Sequence, residues 1–287
     1  MSSQEFSFLI VTDIHDNIEN TKKLVEEVKD KKFDYVLCLG DIVSIPPKQQ
    51  NLKEMEEQYS PKMKEIFEEL KKIGPIIWVP GNHEPYTSFQ ENSAEIIPES
   101  FNLHKKYKKL SNDLYLIGIG GSTPILNGNK YNPDMIPFKS LDFKNIKYEG
   151  YPYNVDNTSD NYIKSDLLLS KDLEDVINKV KKEGGENVKM ILVSHIGPVY
   201  TWTNVLVIDG EVLYLGSKNL GDIFVKEKGF FLNLHGHSHE AKGLISINEN
   251  QQIFNPGDLD NGNYSCLNIK KNANNDWVVS SISLDVL

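Results

Sequence analysis

Apolar and polar positions follow two rhythms in the first third of the chain. FSFLIVTD, residues 6 to 13, is a continuous apolar, β-branched run that stops at polar residues, the pattern of a strand buried on both faces. IENTKKLVEEVKD, 18 to 30, follows with Ile18, Leu24, Val25 and Val28 near helical spacing and lysines and glutamates on the other side, which predicts an amphipathic helix. The rhythm repeats. YVLCLGD (35 to 41) predicts a second buried strand, PKMKEIFEELKKIG (61 to 74) a second helix with proline near its start and glycine at its end, and PIIWVPGNHE (75 to 84) a third strand. Strands alternating with helices imply an α/β architecture with parallel strands and helices packed outside.

The second half reads differently. LYLIGIGGS (114 to 122) predicts a strand, and a polar, proline- and tyrosine-rich stretch without period follows from about 123 to 161. A long irregular insertion of this kind is functional or a surface excursion; its aromatics, Tyr131, Phe138, Phe143, Tyr148, Tyr151 and Tyr153, fit a roof over a site or a loop packed on itself. A helix is expected over about 166 to 183, then a strand in VKMILVSH (188 to 195). GLISI, QQIFN, YSCLNIK and WVVSSISL, separated by turns, suggest an antiparallel meander. With no internal repeat and no linker, a single domain over 1–287 is expected.

Hydrophobic residues at 39% and charged residues at 25% exclude disordered and fibrous classes. The net charge is −10 and every basic side chain is lysine. An acidic surface lacks the counterion-release term that drives binding to duplex nucleic acid, so such a partner is disfavoured. Without arginine, phosphate must be held by metal, lysine, histidine, asparagine or backbone N–H groups. MSSQEFSFLIVTD has no basic region ahead of an apolar stretch, and FLIV is too short to span a bilayer, so no membrane partner and a cytoplasmic location are expected. Cys38 and Cys266 lie in strand-like runs and are read as buried free thiols. His104, in lysine-rich NLHKKYKK, is read as a solvated surface histidine.

The strand ends carry the chemistry. The first predicted strand ends at Asp13 with His15 beyond it, the second at Asp41, the third at Asn82, His83 and Glu84, VKMILVSH at His195, and FFLNL runs into HGHSH, 235 to 239. In open α/β sheets ligands bind beyond the carboxyl ends of the strands. A lone strand-end Asp or Asn only caps a turn, whereas five strands delivering metal-type donors to one edge point to a metal site. Asp13, His15, Asp41, Asn82, His195, His237 and His239 supply enough donors for two ions if a carboxylate such as Asp41 bridges them. Nitrogen and oxygen donors without thiolate suit divalent Mn, Fe, Zn, Co or Ni.

Asp13-Ile-His15, Gly40-Asp41, Gly81-Asn82-His83-Glu84, Ser194-His195 and Gly236-His237-Ser238-His239 together resemble, in order, the five-block signature of the calcineurin-like metallophosphoesterases, and Asn255-Pro256-Gly257 is similar to that family's C-terminal part. The resemblance implies two β-sheets packed as a sandwich flanked by helices, with one ion on Asp13, His15, Asp41 and His239 and the other on Asp41, Asn82, His195 and His237. It implies a metal-activated hydroxide attacking phosphorus, with His83 stabilising the developing charge or protonating the leaving oxygen and Glu84 orienting the His83 ring. His235 has no role in the pattern; it is read as a packed residue, with Gly236 free to bend the chain away from it.

The implied substrate is a small phosphorylated molecule, with phosphodiesters or nucleotide-type compounds favoured and a phosphomonoesterase or protein phosphatase of the same fold as the alternative. A non-catalytic scaffold is disfavoured because none of the seven ligands is replaced and His83 is present. Tyr200 and Trp202, close after His195, are the residues expected to shape the substrate site.

Overall fold

Phe8 to Val11 are all buried, and their side chains alternate between two cores: Phe8 and Ile10 enter one, Leu9 and Val11 the other. That period of two, with both faces covered, is why the run has no polar member. The computed structural model describes residues 4–44, 52–90, 97, 99–122, 126–127, 159–199, 201–208 and 211–287. In chain order its main elements are β1 (Glu5–Val11), α1 (Ile18–Glu27), β2 (Tyr35–Cys38), α2 (Leu52–Leu70), β3 (Ile76–Trp78), β4 (Phe101–Asn102), β5 (Lys106–Ser111), β6 (Leu114–Ile119), β7 (Leu126–Asn127) and α3 (Ser159–Gly184). They continue with β8 (Lys189–Ser194), β9 (Gly197–Pro198), β10 (Val205–Ile208), β11 (Glu211–Tyr214), β12 (Gly216–Ser217), α4 (Lys218–Lys226), β13 (Phe230–Leu234), β14 (Gly243–Asn248), β15 (Gln251–Asn255), β16 (Asn263–Lys271), β17 (Trp277–Ile282) and β18 (Asp285–Val286).

Two mixed sheets form a sandwich. One runs β17-β16-β1-β2-β3-β4, the other β14-β15-β13-β8-β6-β5. In the first sheet β1 to β4 are parallel, with β16 and β17 antiparallel at one edge; in the second β6, β8, β13 and β15 are parallel, with β5 and β14 antiparallel at the two edges. Registers Ile10↔Leu37 and Leu37↔Ile77 line up one apolar row on the inner face of the first sheet. It packs on Ile191, Val193, Leu232 and Leu234 of the second. Helices α1 and α2 cover the outer face of the first sheet through Leu24, Val28, Met63 and Phe67, and α3 and α4 cover that of the second through Leu173, Val176, Leu220 and Phe224. This helix–sheet–sheet–helix layering is the expected α/β sandwich.

Two expectations are corrected. Helix α2 begins at Leu52, so Pro61 is inside it and not near its start. Proline in a helix interior costs about 3 kcal/mol or more. Tyr59, 2% exposed, extends the stripe of Met63, Ile66, Phe67 and Leu70 to the N-terminal side of the proline, and burying such a side chain returns about 1.5–3 kcal/mol. The C-terminal segments are not one meander. They form one antiparallel pair on each sheet, β14–β15 on the second and β16–β17 on the first, and β15 also joins β13 in parallel. The lysine-rich segment after His104 is strand β5, at the edge of the second sheet, where lysines discourage pairing with another chain.

Of the thiols, Cys38 is buried and Cys266 only partly so; both are free. The irregular insertion expected at about 123–161, with its aromatics, lies outside the described residues except for β7 and the first turn of α3. Among the described residues no helix is long and apolar enough to cross a membrane.

Candidate metal centre

Parallel strands β1, β2 and β3 of the first sheet and β8 and β13 of the second all end beside one another, and the five loops that follow carry the predicted residues. The loops are bound to each other before any ligand is considered. Asp13 N–H donates to the Gly40 carbonyl at 2.9 Å, and the N–H groups of Ile14 and His15 donate to the Asp41 carbonyl at 2.8 and 3.1 Å. Gly236 and Gly81 are required here for closeness: a Cβ on Gly236 would meet Thr12 and Asp13, and one on Gly81 would meet Asp41. Asp13 (φ 50°), His15 (49°), Asp41 (50°) and His237 (67°) all adopt left-handed backbone. Such conformations cost roughly 1–3 kcal/mol each and persist where the surroundings hold them.

These turns aim donor atoms at common points. Among the described residues, three groups each bring their potential metal-binding atoms within 4.8 Å of one another: Asp13, His15 and His239; His15, Asp41 and His83; and Asp41, His195 and His237. His239 Nε2 is 3.2 Å from Asp13 Oδ1 and 3.1 Å from His15 Nε2. Asp13 Oδ1 is buried and accepts no hydrogen bond, while Asp13 Oδ2 accepts from Thr12 Oγ1 at 2.6 Å and from the His237 N–H at 2.9 Å. On the other side His195 Nδ1 donates to the Leu39 carbonyl at 2.9 Å, which leaves Nε2 as the lone-pair nitrogen. Nε2 then faces Asn82 Oδ1 at 3.0 Å and Asp41 Oδ2 at 3.3 Å. Acceptors converging on acceptors require positive charge between them, as a proton or as a metal ion.

The electrostatics agree. Burial disfavours charge on His195, but the carboxylates of Asp41 and Asp13 outweigh it and push the imidazole up to about 9. His239 reaches about 9 in the same way, burial being overcome by Asp13 and Asp258. Burial and the neighbouring His195 pull His237 down to about 3. Asp13 and Asp41 stay below the usual carboxylate range despite burial because histidines surround them. The two carboxylates draw positive charge into the site, as protons on His195 and His239, and oxygen and imidazole donors of this kind suit a divalent transition metal in place of those protons.

Glu84 is not where it was expected to act. The His83 ring gets no support from it, and His83 Nδ1 is buried without a partner. The carboxylate instead accepts from the N–H groups of Ile42 at 2.6 Å, Asp41 at 3.0 Å and Gly81, with a longer contact from Val43 at 3.4 Å. Burial and the Asp41 charge push Glu84 up to about 8 against those donors. The reason is geometric: the turn Gly81-Asn82-His83-Glu84 curls back on itself, so a side chain three residues on reaches the turn's own first N–H. His83 ties in through its backbone, donating to Asp41 Oδ1 at 2.9 Å, and its ring meets that of His15 edge-on at 5.0 Å. Burial, then His15 and His195, hold its imidazole below the ordinary value.

His235 is packed, as expected. It is fully buried, with Nε2 3.0 Å from Thr203 Oγ1 and Nδ1 3.0 Å from the Gly236 carbonyl. The bend that separates it from its neighbours is at His237, however, and not at Gly236. His104 is also buried, against expectation; its Nδ1 accepts from the Gly120 N–H at 2.9 Å. Tyr200 lies outside the described residues, and Trp202 is 77% exposed. Two residues of the site were missed: Thr12, which binds Asp13, and Asp258, whose Oδ2 is 3.6 Å from His239 Nδ1. Asp258 directly follows the Asn-Pro-Gly turn, and that adjacency was the available signal.

The family model for calcineurin-like phosphoesterases matches residues 6–241. No curated protein matches the chain in sequence. Among solved structures, TT1561 of Thermus thermophilus aligns over 97% of this chain and 99% of its own with a TM-score of 0.54 at 15% identity. A second structure reaches a TM-score of 0.64 at 16% identity over 98% of this chain and 100% of that one. A dimetal phosphatase from Danio rerio gives 0.52 at 10% identity over 93% and 95%. At such identities the likeness is one of fold, and it is the fold the two sheets show. Matched over most of its length and folded as that sandwich, the chain belongs to the calcineurin-like phosphoesterases, metal-dependent hydrolases acting on phosphoric esters.

Proposed function

We propose that this chain hydrolyses small phosphate esters at two divalent transition-metal ions, one held by Asp13, His15, Asp41 and His239 and the other by Asp41, Asn82, His195 and His237. The observation that carries the reading is the place of Asp41. Its carboxylate belongs to two of the three donor groups, His15 and His83 on one side and His195 and His237 on the other. Asp13 Oδ1 close to His239 Nε2 on one side, and His195 Nε2 close to Asn82 Oδ1 and Asp41 Oδ2 on the other, fit ions on either side of it. When bound, such ions neutralise phosphate oxygens and bring the pKa of a water toward neutrality.

The chain's own residues do the rest. Leu39 holds Nδ1 of His195 as a donor, so Nε2 is the nitrogen turned to the donor cluster, where a metal ion would take the place of its proton. His83, with a ring nitrogen that no protein group occupies, is placed to stabilise charge on phosphate or to pass a proton to the leaving oxygen. Phosphodiesters and nucleotide-type esters are the favoured substrates; the acidic, arginine-free chain does not suit long nucleic acids. One domain over 1–287 carries the whole reaction.

The test is to strip and reload the protein with Mn²⁺, count bound metal, and assay bis-p-nitrophenyl phosphate and p-nitrophenyl phosphate beside Asp41→Asn. Two equivalents of metal, with turnover falling by about 10²-fold or more in the variant, are expected. A single equivalent would remove the dinuclear reading, and metal bound without hydrolysis of either ester would favour a scaffold.

A further inference from the structure

Between β15 and β16 the chain makes a short 3₁₀ turn, Leu259–Asn261, that ends at Gly262 in left-handed backbone. The turn is tied to the loop after β1 through main-chain bonds: Leu259 N–H donates to the Thr12 carbonyl at 2.9 Å, and Asp260 N–H donates to the Asp13 carbonyl at 3.1 Å. Helix α1 holds it as well. The side-chain amides of Asn17 and Asn20 donate to the Asp260 carbonyl at 3.1 and 2.8 Å.

Asp258, just ahead of this turn, is 2% exposed. A carboxylate buried to that extent needs hydrogen-bond donors and positive charge. Two neutral amides supply the donors: Asn261 Nδ2 donates to Oδ2 at 2.6 Å, and Asn263 Nδ2 donates to Oδ1 at 2.9 Å. Lys242 Nζ donates to Asn263 Oδ1 at 2.6 Å, which fixes that amide with its N–H₂ group toward Asp258. The positive charge has another source. Among the described residues the ion-pair contact of Asp258 is with His239, whose Nδ1 is 3.6 Å from Oδ2. The other nitrogen of the same ring, Nε2, lies 3.2 Å from Asp13 Oδ1 and 3.1 Å from His15 Nε2.

The segment from Asp258 to Asn261 therefore reaches two members of one donor group, Asp13 through its backbone and His239 through the Asp258 carboxylate. We infer that Asp258 is a positioning residue for the metal site: it holds the His239 ring with Nδ1–H toward its own carboxylate, so that Nε2 presents its lone pair to the ion shared with Asp13 and His15. The inference rests on the metal reading proposed above. A carboxylate that takes the second N–H of a ligating histidine fixes the tautomer and orientation of the ring and raises its basicity as a ligand. His239 needs such an anchor more than His195 does. His195 is fully buried and its Nδ1 is held by the Leu39 carbonyl, whereas the His239 side chain is 39% exposed.

The test labels the histidines of the full-length protein with ¹⁵N and titrates it with Zn²⁺, reading each ring nitrogen by long-range ¹H–¹⁵N NMR with single His→Ala variants for assignment. In the wild type His239 is expected to take zinc through Nε2 and to keep its proton on Nδ1. In Asp258→Asn the zinc affinity read at His239 should fall by about tenfold or more, while that read at His195 and His237 stays within about threefold. A residue that mattered only for folding would instead lower the urea midpoint of the metal-free protein and weaken all three rings alike. Zinc bound through Nδ1 of His239 in the wild type, an unchanged affinity at His239 in the variant, or an equal loss at all three rings overturns the assignment while the phosphoesterase reading stands. The first of these outcomes needs no variant, so it decides even if Asp258→Asn fails to fold. If zinc shifts none of these rings in the wild type, the metal reading itself falls and the inference falls with it.

Discussion

On the first sheet, the loops after β2 and β3 are joined by an acid: Glu84 takes the N–H groups of Asp41, Ile42 and Gly81 into one carboxyl group. On the second sheet, the loops after β8 and β13 are joined by neutral amides, with Asn204 bridging Gly197 and Ser238, and Asn255 bridging Thr203 and Ser238. Each device matches the ligands it supports. The first sheet contributes both carboxylates, and Glu84 adds a third acid beside them that backbone donors neutralise in part. From the second sheet come only histidines, which bind metal in the neutral form. A carboxylate beside such a ring favours its protonated form, as Asp13 and Asp258 do for His239, whereas burial and the neighbouring His195 keep His237 low.

The widest gap between the two devices appears on deleting them. Glu84→Ala leaves three well-formed buried N–H donors without acceptors, at about 1–3 kcal/mol each, so a loss of about 3 kcal/mol or more is expected in denaturant unfolding of the metal-free protein. Glu84→Gln keeps one acceptor oxygen but turns an amide N–H₂ toward other donors, and should fall between wild type and alanine. A Glu84→Ala protein within 1 kcal/mol of wild type would mean that the loops hold themselves and that the clamp is incidental.

The neutral side responds more mildly to truncation and more to charge. Asn255→Ala removes two donated bonds and the acceptor for the Gly257 N–H, and about 2 kcal/mol is expected, since its partners lie near strand ends that other bonds still hold. Asn255→Asp should be worse than alanine, because a carboxylate there faces the Thr203 and Ser238 carbonyls. Unfolding curves for the two variants decide it: if Asp is tolerated better than Ala, the network is not built on donation to those carbonyls.

The contrast also separates what was legible in the sequence from what was not. Buried parallel strands announce themselves as unbroken apolar runs, and the seven candidate ligands stand out because strand ends collect them. Glu84, Asn204 and Asn255 act through backbone partners 42, 7 and 52 residues away. No local pattern encodes such pairings. Pro61 inside α2 escaped because its cost is offset by tertiary burial of Tyr59, which periodicity alone does not reveal. The same blindness applied to His104, whose lysine neighbours suggested solvent although strand pairing carries the ring inward.

His104 joins the two halves: it follows β4 of the first sheet, bridges to Gly118, and accepts the Gly120 N–H of the loop after β6. Burial, and then Lys105 and Lys106, push its imidazole down to about 3, from an ordinary value of 6.5. The unfolded chain therefore takes up a proton below 6.5 that the folded chain refuses until about 3. Stability is full above 6.5 and falls across that window as the pH drops, with a limiting slope of about 1.4 kcal/mol per pH unit. Between pH 7 and pH 5 the wild type should lose roughly 2 kcal/mol more than His104→Gln, a variant that cannot titrate but retains an acceptor for Gly120. The variant should start lower at pH 7 and converge on, or overtake, the wild type at pH 5. Parallel stability–pH curves for the two proteins would place the His104 ring in contact with water, and the join between the sheets would then have to be sought elsewhere.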